Sequence, residues 1–440
     1  MRLFALTFAV AVSATAATTD AATTNSPVTV TFNKEVLPIL QKRCQDCHRP
    51  GEAVPMALIG YQESRPWAKA IKQAVLSKKM PPWFADPNYG HFANDRSLSQ
   101  TEIDTLVAWA DAGAPEGNPK DAPAPRQFVE GWSIGKPDLV LEMPNAFPVP
   151  AKGVIEYQYV IIPTGLTEDK WIMASEIRPG DKSVMHHVIT SIREPGSTWM
   201  ADKQPGVVFV PPKGLKGGGD QLSGGLSGYV PGASQPPGDF PRRGTLLKAG
   251  SDIVLQLHYT PNGKETSDKT KIGIIFAKVK PESRLLGGNS AAYSFKIPAG
   301  DPAYKVEATS TLQYDCDLVS MMPHAHLRGK SFEYRVVHPN GESEIVLRVP
   351  KYDFNWQLTY YPAKPIHLEK GSKVEVTAEF DNSANNVFNP DPASEVHWGE
   401  QTFEEMMMGY FSVVVAPGQG PTGPVNRRRA ATTASGTGTE

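Results

Sequence analysis

The spacing of the apolar residues changes once along this chain, at Ala122-Pro123-Ala124-Pro125, and that change limits the fold more than any other feature. Before it, Phe32, Val36, Ile39, Leu40 and Cys44 recur at helical spacing, with Pro38 tolerable in a first turn. Trp67, Ile71, Ala74 and Val75 mark a second helical face. Ser99-x-x-Glu102 reads as a capping box for a helix running through Ile103, Leu106, Val107 and Ala110 to a stop at Gly113 and Pro115. After the change, short runs rich in Val, Ile, Tyr and Leu alternate with Gly/Pro turns, as at Tyr157 to Ile162, Ile253 to Tyr259, Lys373 to Phe380 and Met408 to Val415. This pattern predicts β-sandwiches, and the 40 prolines and 38 glycines supply the turns. The roughly 290 residues past the linker exceed one sandwich of about 100, so two in tandem are expected, divided near Lys280 to Gly288.

Lys plus Arg (44) nearly balance Asp plus Glu (46), and apart from Arg427-Arg428-Arg429 no segment concentrates basic residues, which argues against a nucleic-acid partner. Arg2, the apolar stretch Leu3 to Val12 and the small residues Ser13 to Ala17 read as a secretory signal peptide over residues 1–20, so a periplasmic or secreted location is expected. No later apolar run approaches the ~18 residues that span a bilayer. Residues 418–440, poor in large apolar side chains, are expected to be a disordered tail. The glycine-rich stretch Gly214 to Gly228 lacks a phosphate-loop pattern and reads as a mobile loop.

Cys44-Gln45-Asp46-Cys47-His48 is a C-x-x-C-H. Two thiols at this spacing can each add to one haem vinyl group while the histidine turns under the ring as an axial ligand. A zinc site would need further ligands that no second C-x-x-C supplies, a thioredoxin-type pair should follow a strand rather than a helix, and a plain disulfide would not use His48. Lys79-Met80-Pro81-Pro82-Trp83 holds a thioether in a stiff loop suited to the sixth haem position, with Met56 as the rival and plain packing as the bland reading of either. Cys316 is left over, as a free thiol or an intermolecular link.

Ten histidines occur in the chain, and five of them fall in three tight groups: His186-His187, His258, and His324-Ala325-His326. On a strand His324 and His326 point to one face and can share a metal, whereas His186 and His187 should face opposite sides, so joint ligation requires a bulge or a strand end. Glu404-Glu405-Met406-Met407-Met408-Gly409-Tyr410 adds thioethers, which suit cuprous copper and are poor zinc ligands. Against this, a lone His258 suits a core, and Met406, Met408 and Tyr410 at period two suit one packed strand face. His91, His338, His367 and His397 lack such company.

The first quarter of the chain, residues 28–120, resembles a class I cytochrome c domain through its C-x-x-C-H, Met-Pro-Pro loop and capped terminal helix, which implies haem c held by Cys44, Cys47, His48 and Met80. From about Trp132 to Pro417 the chain resembles the copper type II, ascorbate-dependent monooxygenases, the family of peptidylglycine and dopamine hydroxylases. The combined resemblance implies a small all-α domain followed by two all-β jelly-roll sandwiches, at 130–284 and 285–417, with two copper ions. Carried over by motif, His186, His187 and His258 would bind an electron-transfer copper, and His324, His326 and Met406 the copper that meets dioxygen. Gln256, two before His258, and Tyr410, four after Met406, match further family positions, and the latter selects Met406 among three methionines. One departure concerns substrate. Where peptide-hydroxylating members clamp a carboxylate with Arg and Asn, this chain has Met322 and Met408, so a peptide C-terminal glycine is not supported and the pocket reads as more apolar.

The implied activity is an exported monooxygenase that hydroxylates a C–H bond of a small-molecule substrate with dioxygen. Electrons would be relayed by the fused haem, with ascorbate or a redox protein as donor. Two other classes compete: an exported electron-transfer or copper-binding protein without oxygenase activity, and a sandwich adhesion module carrying a haem appendage.

Overall fold

The computed structural model describes residues 29–52, 54, 56–212, 222–223, 226–231, 243–416 and 418–419. The expected signal peptide, most of the glycine-rich stretch and nearly all of the expected tail lie outside them.

A π-helical turn, Phe32–Val36, runs into α1 (Leu37–Arg43), followed by α2 (Tyr61–Ser64), α3 (Ala68–Leu76) and α4 (Gln100–Asp111). Their apolar faces meet in a small core in which Val36, Leu40, Leu106 and Trp109 are fully buried. The α4 cap forms as its sequence requires: Ser99 Oγ accepts from the Glu102 N–H (3.2 Å), and the Glu102 carboxylate accepts from the Ser99 N–H (2.8 Å). Glu102 also pairs with Arg43 at 3.1 Å, fastening α1 to α4 just before Cys44.

The rest of the chain is β. The first ten strands are β1 (Leu139–Glu142), β2 (Phe147–Val149), β3 (Gln158–Pro163), β4 (Lys170–Arg178), β5 (Met185–Arg193), β6 (Leu222–Ser223), β7 (Arg243–Leu247), β8 (Asp252–Tyr259), β9 (Thr266–Asp268) and β10 (Lys271–Phe276). The second ten are β11 (Ser283–Ala292), β12 (Lys296–Ile297), β13 (Tyr304–Thr311), β14 (Cys316–His324), β15 (Gly329–Val337), β16 (Ser343–Val349), β17 (Ile366–Leu368), β18 (Lys373–Phe380), β19 (Val396–His397) and β20 (Met407–Val415). Sheet β3-β8-β5-β6 packs over β1-β10-β4-β7 around one core, and sheet β13-β18-β15-β16 over β11-β20-β14-β17 around another. A parallel pairing of β7 with β11 joins the two inner halves into one eight-stranded sheet, so backbone hydrogen bonds hold the sandwiches against each other.

Period-two alternation decides which side chains leave these cores. On β8, Ile253, Leu255 and Leu257 point inward, which turns Gln256 and His258 out. On β20, Met407, Phe411 and Val413 point inward, which turns Met408 and Tyr410 out. Gly409 marks where β20 passes close to the opposite sheet, since a Cβ there would sit 2.6 Å from Val376 Cγ2. Cys316 is a free thiol buried in the second core, and burial pushes it up to about 11.

The helical unit touches both sandwiches. Glu52 pairs with Lys182, just before β5, at 2.8 Å. Residues 83–95 lie along the second sandwich, where Trp83, Phe92 and Tyr360 pack ring against ring at 5.0 to 5.9 Å. Backbone bonds from Asp86 to Arg348 (2.8 Å) and Ala93 to Tyr361 (2.8 Å) fix this strap. No helix among the described residues is long and apolar enough to cross a membrane.

Candidate metal centres

The first histidine group forms because β5 breaks register. Met185 pairs with Tyr259 and His187 with His258, so His186 occupies a bulge between them. The bulge removes the opposite-face problem of two adjacent histidines: Met185 and Val188 both enter the core while both imidazoles stay outside it. The ligand atoms of His186, His187 and His258 all lie within 4.8 Å of one another. His186 Nδ1 is 3.3 Å from His187 Nδ1, and His187 Nε2 and His258 Nδ1 are buried without a hydrogen-bond partner. Buried imidazole nitrogens left unpaired cost free energy unless something binds them, and convergent ones are what a metal requires. Burial keeps all three rings neutral, lowering His186 to about 4, His258 to about 2 and His187 well below its ordinary value. Tyr157 packs on two of these rings, at 4.6 Å from His258 and 5.4 Å from His187, and Gln256 donates to the Tyr159 hydroxyl beside them.

The second group lies at the open end of β14. His324 is the last residue of that strand, and His326 falls in the turn beyond it, so the two do not share one strand as the H-x-H spacing suggested. The ladder stops there because the His326 and Arg328 N–H groups bond to the Glu405 carboxylate instead of to a neighbouring strand. The rings still meet, with centroids 5.4 Å apart. His324 Nδ1 is 2.7 Å from Gln357 Oε1, and His326 Nδ1 is 3.2 Å from the Glu404 carbonyl oxygen. Each acceptor fixes the proton on Nδ1 and leaves the Nε2 lone pair free, the tautomer a metal ligand needs. His326 Nε2 is buried with no hydrogen-bond partner. Burial lowers His324 to about 4 and His326 to about 3, and it pushes Glu405 up to about 7.

Met406 enters this group through its backbone: its N–H donates to the same Glu405 oxygen that accepts from His326 N–H. Cross-strand pairs Met322 with Tyr410 and His324 with Met408 place two methionines and the tyrosine on the face that carries His324. The Tyr410 ring is 6.1 Å from that of His324. The face is therefore rich in thioethers and aromatic carbon.

A side chain that sequence reasoning missed connects the groups. Phe354, in the loop between β16 and β17, stacks on His186 at 4.7 Å and lies 6.3 Å from both His258 and His326. The same loop supplies Gln357 and Tyr352, whose hydroxyl donates to the Ala325 carbonyl at 2.8 Å and accepts from the Ala325 N–H at 3.2 Å. Nothing in the local pattern of this loop marks it as part of a site. Two of the remaining histidines turn their rings to carboxylates instead, His367 to Asp317 at 3.0 Å and His397 to Glu395 at 3.0 Å.

In the helical unit, His48 Nδ1 is 3.3 Å from the Met56 carbonyl oxygen, which leaves Nε2 for an axial bond. Cys44 and Cys47 are free thiols, and burial pushes Cys44 up to about 12. Met80 follows α3, its N–H bonded to the Ala74 carbonyl at 3.2 Å. These residues fit a covalently attached haem in their donor chemistry.

No family model matches the chain, and no curated protein matches it. It is similar, over part of its length, to a structure of the infectious bursal disease virus Gx strain (10% identity, 63% of this chain and 68% of that one, TM-score 0.20). It is likewise similar to an allantoicase (11%, 58% and 81%, TM-score 0.17) and to a putative secreted protein from Eubacterium rectale (8%, 59% and 69%, TM-score 0.18). At such TM-scores these likenesses carry no argument about this chain.

Proposed function

We propose that this protein is an exported copper-dependent monooxygenase of the copper type II kind, built from two jelly-roll-like sandwiches and a cytochrome c-like haem unit, which hydroxylates a C–H bond of an apolar small molecule with dioxygen. The observation that carries this reading is the pair of unlike histidine groups, three imidazoles on one sandwich and two on the other, with Phe354 between them and the Met406 N–H sharing the Glu405 oxygen that accepts from His326. Copper cycling between its cuprous and cupric states supplies the single-electron chemistry that dioxygen reduction needs, and a thioether favours the cuprous form. His186, His187 and His258 would hold the electron-transfer ion, and His324, His326 and Met406 the ion at which dioxygen reacts. Gln357 and the Glu404 carbonyl keep the second pair of imidazoles in the ligating tautomer. Met322, Met408, Tyr410 and Phe354 give the substrate an apolar wall.

Delivery of electrons from the haem unit is supported by where that unit docks. Glu52, just past the C-x-x-C-H, pairs with Lys182 at 2.8 Å, just before the strand that carries His186 and His187. A second reading, an electron-transfer protein without oxygenase activity, is favoured by one feature: the Phe354 ring already occupies space between the donor sets. The test is metal analysis of the exported chain, with about one iron and about two coppers expected, followed by oxygen-uptake screening with apolar candidate substrates and isotopic dioxygen. Absence of copper overturns the proposal. Full copper occupancy with no substrate-dependent uptake selects the second reading.

A further inference from the structure

The Glu405 side chain is completely buried, and its carboxylate accepts three backbone N–H bonds: from Arg328 at 2.6 Å on one oxygen, and from His326 at 2.8 Å and Met406 at 3.1 Å on the other. Burying a carboxylate is costly unless it is fully hydrogen-bonded and paired. The positive charge of Arg328, 2% exposed, favours the ionised carboxylate without a direct ion pair, since its guanidinium is held by Asn382 Oδ1 (2.8 Å) and the Phe403 carbonyl (3.0 Å). The backbone of Glu405 is fixed too, donating to the His397 carbonyl (3.1 Å) and accepting from the Gly399 N–H (3.0 Å).

We propose that Glu405 is the positioning residue of the second centre, one rigid carboxylate that gathers the His326 and Met406 segments so that an imidazole and a thioether reach the same metal ion. The proposal rests on the copper reading above. The two donors come from segments far apart in sequence, the turn after β14 and the start of β20. In place of a ladder bond joining them, each donates its N–H to one shared oxygen. A smaller cap such as Ser could satisfy one N–H of a turn, whereas only a side chain of this length with two acceptor oxygens bridges both segments and Arg328.

The test is Glu405→Gln in the full chain, compared with wild type by competition against a cuprous chelator and by X-ray absorption of the reduced protein. A glutamine keeps one acceptor and turns an NH2 toward backbone donors. Affinity at the second centre should therefore fall about 10- to 100-fold, with loss of the sulfur scatterer, while the His186/His187/His258 centre is unchanged. A folded variant with both centres as in wild type, or with both weakened equally, overturns the proposal. A wild type that takes up no copper refutes the copper reading itself, whereas a copper-loaded wild type with no sulfur ligand overturns the positioning role of Glu405 alone. Should Glu405→Gln fail to fold, hydrogen exchange of the metal-free wild type decides. Peptides covering 324–328 and 404–407 exchanging as slowly as the core strands support the clamp, and rapid exchange there overturns it.

Discussion

Replacing Gln357 by leucine separates two consequences of a single hydrogen bond. Gln357 is 3% exposed, and its Oε1 lies 2.7 Å from His324 Nδ1, which is equally shut off from water. Leucine preserves the bulk but removes the acceptor. The imidazole then has two options. It can keep its proton on Nδ1, leaving a buried donor unpaired at a cost of about 1–3 kcal/mol, or move it to Nε2 and block the nitrogen otherwise left free for a metal. The first option destabilises the metal-free protein, by roughly 2–4 °C in melting temperature per kcal/mol for a unit of this size. The second spares the fold but weakens the second centre about 10- to 100-fold, or about 1.4–2.7 kcal/mol. The Gln357 Nε2 bond to the Phe354 carbonyl (3.3 Å) is lost in either case, so Gln357→Glu, which retains the acceptor, is the control. Melting of the metal-free protein and chelator competition on the loaded one measure both outcomes. A folded Gln357→Leu with wild-type melting and wild-type affinity at the second centre would refute the reasoning.

The metal-free protein should lose stability as the solution is acidified from neutrality. Burial lowers His186 and His324 to about 4, His326 to about 3 and His258 to about 2, from 6.5. Between pH 6.5 and about 4 the unfolded chain therefore binds more protons than the folded one, and each such imidazole removes about 1.4 kcal/mol of stability per pH unit. Denaturant titrations of metal-free protein at pH 7, 6 and 5 should show midpoints falling with pH, and a flat profile contradicts the buried neutral rings. Gly409→Ala should cost about 1–3 kcal/mol by forcing β20 off Val376, and should disturb the flanking Met408 and Tyr410. Unchanged melting of that variant would show that the two sheets are not in contact there.

Much of the architecture was legible because it rests on short-range rules. The Ser99–Glu102 cap, the helices built on Phe32, Val36, Leu40 and Leu106, and the strands around Tyr159, Leu255, Val376 and Val413 follow from spacing over a few residues. The same period-two rule showed that His186 and His187 could act together only through a bulge, and the register skips one residue at that position. It failed at His326, where a buried carboxylate from a distant segment ended the strand early.

The sequence by itself determined which donors exist and which way alternating side chains turn, because backbone geometry sets both locally. Only the tertiary structure decided that Gln357, Glu405 and Phe354 belong to the site, that His187 lies across from His258, and that the helical unit straps onto both sandwiches. Those relations depend on which buried nitrogen or oxygen finds a partner once two sheets have closed over it. Hydrogen-bond demand inside a core is met by whatever segment the fold brings near, and no spacing along the chain encodes it.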